Sequence, residues 1–147
     1  MSKVTSLHHI VFCTKYREMT IPQDHCEDLY RFIWAEIKKS HSKLIRIGGI
    51  QNHLHLLVDV SPNISLSALM RNIKACSSGW MKHDGRFPKF RGWAHEYFAV
   101  SVNSKDKINV IDYIKRQPVH HASQSFTQEL TVLAYCAGFS FDADYMM

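Results

Sequence analysis

Apolar and polar positions change period several times along the chain, and each change marks an element. From Leu7 to Tyr16 the run LHHIVFCTKY is rich in β-branched and aromatic side chains, the composition of a strand. From Pro22 the period becomes helical. In PQDHCEDLYRFIWAEIKKSH, Leu29, Ile33 and Ile37 recur one turn apart, with Phe32 and Trp34 nearby. The proline at its start, the acids in its first turns and Lys38 and Lys39 at its end match the polarity of a helix. KLIRIGGIQ and HLHLLVDV then predict two strands. Their connection near Gln51 and Asn52 is too short for a crossover helix, so they pair as an antiparallel hairpin. SLSALMRNIKACSSGWMKH predicts a second long helix through Leu66, Leu69, Met70, Ile73 and Cys76, spaced by threes and fours. A basic loop, DGRFPKFRG, leads to WAHEYFAVSVN, a strand with Phe98, Val100 and Val102 on one side and His95, Tyr97 and Ser101 on the other. SKDKINVIDYIKRQ predicts a helix with Ser104 as N-cap, and FTQELTVLAYCAG a last helix stopped by Gly138.

The order β, α, β, β, α, β followed by helices predicts an α+β fold: a ferredoxin-like (RRM-like) antiparallel sheet with helices on one face, and a C-terminal helix bearing Tyr113. The other sheet face is then open to a ligand or partner. With 147 residues and no repeat, low-complexity tract or linker, the chain is expected to form one domain, 1–147.

Composition narrows the function classes. Eighteen Lys and Arg against 13 Asp and Glu give a net charge of +5, which favours anionic partners and permits nucleic acid. Cys13, Cys26, Cys76 and Cys136 form no CxxC pair, which excludes a zinc knuckle and a small disulfide framework. Neither a signal-peptide core nor an apolar run of membrane-spanning length stands out, so a cytoplasmic location and no membrane partner are expected.

The stretch NHLHLLVDV carries the candidate chemistry. Alternation puts Leu54, Leu56, Val58 and Val60 on one side of the strand and His53, His55, Leu57 and Asp59 on the other. The two histidines stand about 7 Å apart at Cβ, close enough to converge on one metal. An isolated HxH is equally a pair of hydrogen-bonded histidines on an exposed sheet face, and two imidazoles do not complete a zinc site, so any third ligand must come from elsewhere. In the helix near residue 113, Ile108, Ile111 and Ile114 form an apolar stripe while Asp106, Asn109, Tyr113 and Gln117 share the opposite side. By itself this is also the pattern of a surface tyrosine with a solvated glutamine.

Four stretches in order, HIVFCTKYR (9–17), GGIQNHLHLLVDV (48–60), EYFAVSV (96–102) and VIDYIKRQPVHH (110–121), resemble the single-tyrosine HUH transposases. These are small enzymes that move single-stranded insertion elements, and they include REP-associated tyrosine transposases. The resemblance implies His53, His55 and Gln117 as ligands of Mg²⁺ or Mn²⁺ and Tyr113 as the nucleophile. It implies cleavage and rejoining of single-stranded DNA at element ends through a 5′-phosphotyrosine. The DNA partner carries a hairpin, and the protein is expected to be a homodimer whose tyrosine helix can serve the other subunit's site. Lys15, Arg17, Arg71, Lys74, Lys89 and Arg91, with Arg86, are candidate phosphate contacts, and Trp93 or Phe87 candidate base-stacking platforms. Pro118 puts Gln117 at a helix end, with His120 or His121 near enough to substitute. Two rivals remain: a domesticated hairpin-binding protein that tolerates loss of Tyr113, and a metal-dependent phosphodiesterase that uses water.

Overall fold

A computed structural model of the chain describes residues 2–121 and 125–136. Its four strands are β1 (Leu7–Cys13), β2 (Lys43–Ile50), β3 (His53–Asp59) and β4 (Phe98–Ser101). They form one sheet in the order β2-β3-β1-β4 with every neighbouring pair antiparallel, the topology of the expected ferredoxin-like unit. β1 meets β3 with Cys13 opposite His53, Val11 opposite His55 and His9 opposite Leu57.

Alternation decides which face is dry. Ile10 and Phe12 of β1 and Leu54, Leu56 and Val58 of β3 join one buried cluster with α1 (Cys26–Lys39) and α2 (Leu66–Asp84). α1 contributes Leu29, Ile33 and Ile37, and α2 contributes Leu69, Met70 and Ile73. Leu56 is fully buried, and its truncation to alanine costs about 2–5 kcal/mol. α2 is bounded as its sequence requires: Ser65 Oγ accepts from the Ala68 N–H at 3.1 Å, and Gly85 ends the helix at φ 90°.

The opposite face departs from expectation, because it carries helices too. α3 (Lys107–Lys115) and α4 (Gln117–His120) lie against β2, while Phe126, Leu130 and Ala134 of α5 (Phe126–Cys136) pack on Val11, Cys13, Ala94 and Phe98. The apolar residues on that face need cover, and α5 supplies it with one residue per turn.

Several boundaries shift as well. β1 stops at Cys13, and Lys15–Arg17 form a 3₁₀ turn in which Tyr16 and Arg17 both take φ 57°. β4 is confined to Phe98–Ser101, and Trp93 joins the sheet only through an isolated bridge to Thr14. Ser104 does not cap α3: it lies inside a 3₁₀ turn, Ser104–Asp106, which Asn103 caps by accepting from the Lys105 N–H at 3.3 Å, and the residue before α3 is Asp106. Ile108 is 78% exposed, so the predicted stripe is not the inward side of α3; Ile114 is. Gly138 lies outside the described residues.

Candidate active site

β3 delivers His53 and His55 to the face covered by α3–α5, where both are fully buried. α3 ends at Lys115 because Arg116 leaves helical geometry (φ −91°, ψ 8°). Pro118 then falls in the first turn of α4, where its missing N–H breaks no ladder bond. The kink keeps Gln117 in place: it is fully buried and its Oε1 lies 3.0 Å from His53 Nε2. Tyr113, half-buried on α3, sets its ring edge-on to His55 with centroids 5.6 Å apart. Tyr113 and Gln117 therefore come together with the HxH pair, on the inward side of the helices.

The residue missed by sequence reasoning is Glu129 on α5. It is 1% exposed and touches every other member of the cluster. Its Oε1 lies 3.3 Å from His53 Nε2, 3.2 Å from His55 Nε2 and 3.0 Å from His121 Nε2. Its Oε2 accepts from Gln117 Nε2 at 2.8 Å and from the Tyr113 hydroxyl in a short hydrogen bond. Glu129 is the sole acid in FTQELTVLAYC, beside the buried Phe126, Leu130 and Ala134. A lone carboxylate next to an apolar stripe was the available signal.

Hydrogen-bond partners fix the proton positions. Asn52 Nδ2 donates to the Arg17 carbonyl at 3.3 Å, so Asn52 Oδ1 is the atom that accepts from His53 Nδ1 at 2.8 Å. Burial, offset only in part by Glu129, lowers the His53 pKa to about 4, so near neutral pH the ring is uncharged and Nε2 carries a lone pair. That lone pair faces Gln117 Oε1 and Glu129 Oε1, both acceptors. Three electron pairs thus converge without a proton among them, a deficit that a cation would balance. His53, His55 and Glu129 offer ligand atoms within 4.8 Å of one another, and two imidazoles with oxygen donors suit a divalent ion. The residues present therefore fit the implied metal.

The surrounding groups hold this arrangement. His9 Nε2 and His55 Nδ1 share a 2.9 Å hydrogen bond, and burial, aided by His55, lowers His9 to about 3. Phe126 lies flat on His53 with centroids 3.9 Å apart. Burial acts to raise the Glu129 pKa, but the imidazoles of His121, His53 and His55 gathered at its oxygens overcome it and hold the carboxyl far below its usual range. Burial, then the bond to Glu129 and its charge, push the Tyr113 phenol well above the ordinary tyrosine value.

The expected DNA-contacting residues divide. Lys15, Arg71, Lys74 and Arg91 line one groove of about 550 Å³, joined there by Lys82. Arg17 turns toward α5, where its Nη1 donates to Thr127 Oγ1 at 2.9 Å, and Lys89 is exposed outside that lining. Arg86 is engaged by Asp84 and Asp28. Phe87 and Trp93 are core residues, 2% and 9% exposed, so neither offers a ring to a base, contrary to expectation. Among the described residues no helix is long and apolar enough to cross a membrane.

Comparison with known proteins identifies the family. The family model described as "Transposase IS200 like" matches residues 2–117. The transposases for insertion sequence element IS200 of Salmonella typhimurium and Salmonella typhi are each 26% identical over 117 residues, covering 75% of this chain and 75% of theirs. Among solved structures, a candidate transposase from Deinococcus radiodurans R1 superposes with a TM-score of 0.60 at 18% identity, over 80% of this chain and 95% of that one. A REP-associated tyrosine transposase bound to a REP hairpin superposes with a TM-score of 0.60 at 17% identity, over 82% and 74%. The two structures show the shared fold, and the family match extends through β3, Tyr113 and Gln117: the chain belongs to the IS200-like transposase family.

Proposed function

We propose that the chain cleaves and rejoins single-stranded DNA at hairpin-bearing element ends, with Tyr113 as nucleophile and a divalent ion, Mg²⁺ or Mn²⁺, held by His53, His55 and Gln117. The observation that carries this is the convergence of the Tyr113 hydroxyl, the Gln117 amide and both histidines on one buried anion, the Glu129 carboxylate. A carboxylate held by that set stands where a scissile phosphate would be held. When bound, the ion would offset the charge of the phosphate and polarise its oxygens.

Each protein group then has a task. His9 and Asn52 orient the two imidazoles through their second nitrogens. Gln117 fixes the distance between the α3–α4 junction and β3. Attack by Tyr113 Oη forms the Oη–P bond and breaks the P–O3′ bond. The phenolic proton is transferred in net to the departing 3′-oxygen, and a 5′-phosphotyrosine remains. Return of a 3′-hydroxyl reverses the step, so joining needs no nucleotide cofactor.

With both histidines buried and Phe126 on His53, the arrangement described is closed. Withdrawal of α5 would admit the phosphate. It would also remove the hydrogen bond and charge of Glu129 that help to raise the Tyr113 pKa, leaving a better nucleophile. A second copy of the chain is the protein partner implied by the resemblance. The test is incubation of the purified chain with Mn²⁺ and labelled single strands from the DNA flanking its gene. A covalent adduct on a denaturing gel, absent in Tyr113→Phe and His53→Ala, is expected. Cleavage without an adduct would assign the nucleophile to water, and binding alone, unchanged in Tyr113→Phe, would make the chain a hairpin-binding protein.

A further inference from the structure

Tyr16 is unusual on three counts. It is a large aromatic that is 56% exposed. It sits at φ 57°, followed by Arg17 at the same φ, so two consecutive side-chain-bearing residues occupy the left-handed region that L-residues avoid. Its ring is flanked by two cations, with Arg91 Cζ 5.4 Å and Lys15 Nζ 5.8 Å from the centroid. Among the described residues the ring belongs to neither buried apolar cluster.

The surrounding bonds keep the turn in this shape. Lys15 N–H donates to the Gly92 carbonyl and Arg17 N–H to the Thr14 carbonyl, each at 2.9 Å. Thr14 Oγ1 donates to the Glu18 carbonyl at 2.7 Å. Asn52, which orients His53, donates to the Arg17 carbonyl. The turn is thus tied on one side to the metal-binding strand and on the other to the segment that lines the basic groove.

Tyr16 lies between two anion-binding places. Lys15 and Arg91 belong to the groove that also holds Arg71, Lys74 and Lys82. Arg17, the next residue, lays its guanidinium 5.7 Å from the centre of the Phe126 ring, which covers His53. Glu18, ion-paired with Arg91, is the acid that a phosphate would displace.

Resting on the proposed function, we infer that Tyr16 is a stacking platform for an unpaired base in the single-stranded segment that joins a hairpin stem, held in the basic groove, to the scissile phosphate at His53 and His55. An exposed ring between cations fits that ligand. Stacking takes any base face, while Lys15 and Arg91 meet the phosphates on either side. The left-handed turn is what presents the ring outward.

The probe is a DNA stem-loop from the sequence flanking the gene, with and without a single-stranded tail, carrying 5-iododeoxyuridine at successive unpaired positions. It is bound to the full chain with Mn²⁺, irradiated, and the cross-linked residue mapped by mass spectrometry. A cross-link at Tyr16 is expected, retained in Tyr16→Phe and lost in Tyr16→Ala. In Tyr16→Ala the tailed stem-loop should bind about tenfold more weakly while the untailed one is unaffected. Tyr16→Gly, which relieves the backbone, should unfold at a higher temperature yet bind the tailed probe as weakly as Tyr16→Ala, separating lost stacking from lost folding. Unchanged affinity in Tyr16→Ala, or cross-links confined to other residues, overturns the platform. The Tyr113 adduct is scored on the same probe: an adduct that forms without any dependence on Tyr16 overturns the platform alone, whereas a chain that binds no stem-loop overturns both.

Discussion

Glu129 gathers six side chains around two oxygens, and its effect is best separated by removing it. In Glu129→Ala the proposed cation site loses an oxygen donor and Tyr113 loses its acceptor, so Mn²⁺ binding without DNA should weaken about tenfold or more in titration calorimetry. Adduct formation should nevertheless speed up, because the phosphate no longer competes with a carboxylate already in place. A slower adduct would instead make Glu129 a working ligand in the open state. The buried histidines also set a pH dependence. His53 falls from 6.5 to about 4 and His9 from 6.5 to about 3 in the fold, so between those values the unfolded chain binds more protons. Their contribution is complete above 6.5 and is lost as pH falls toward the folded values. The metal-free melting temperature should therefore drop on going from about pH 7 to about pH 5; a flat profile would show that the rings are not held neutral. The HxH pair and the Tyr113–Gln117 pair were legible in the sequence because strand alternation and one helical turn fix which side chains are neighbours. Glu129 was not, because it meets His55 across a sequence separation of 74 and no local period spans that distance.

The elements repeat the contrast. Four strands and two long helices follow from alternation, helical stripes and caps, all of which are local. Closure of the second face depends instead on how near α3 can come to β2, and that is set by a missing side chain. A Cβ at Gly48 would lie 2.7 Å from the Ile114 carbonyl oxygen and 3.0 Å from Ile114 Cγ2, so only glycine admits the contact. Gly48 also sits opposite His55 in the β2–β3 register, which makes the approach part of the site. Gly48→Ala should push α3 outward, cost about 1–3 kcal/mol in denaturant unfolding and carry Tyr113 away from the histidines. Adduct formation should fall far more than the stability change explains, since about 1 Å of misplacement can cost two orders of magnitude in rate. A variant with full activity would mean that α3 finds Tyr113's position without that contact. The same dependence explains why the periodicity of α3 misled: the helix is held by a backbone approach at Ile114 and by polar contacts, so Ile108 can remain in water.

For the whole molecule, the question is whether one chain contains a complete site. The connector between β4 and α3, residues 102–106, is short and tied down: Val102 N–H donates to the Leu7 carbonyl at 2.9 Å, and Asn103 caps the turn that follows. A connector so fixed directs α3 back over its own sheet, where Tyr113 meets its own His55 and Glu129. Exchange of the tyrosine helix between two copies would break these bonds and the Ile114–Gly48 contact in both chains before making any new ones. Within the single chain described, Tyr113 thus stands at the histidines of its own sheet. Mixing Tyr113→Phe with His53→Ala decides the matter, because each chain lacks what the other retains. Assembly in cis leaves every site defective, so the mixture should give no adduct above that of either variant alone, at any ratio and after co-refolding. An adduct that appears only on mixing would place the tyrosine helix across an interface during catalysis, and α5 withdrawal would then be the step that frees α3 to cross.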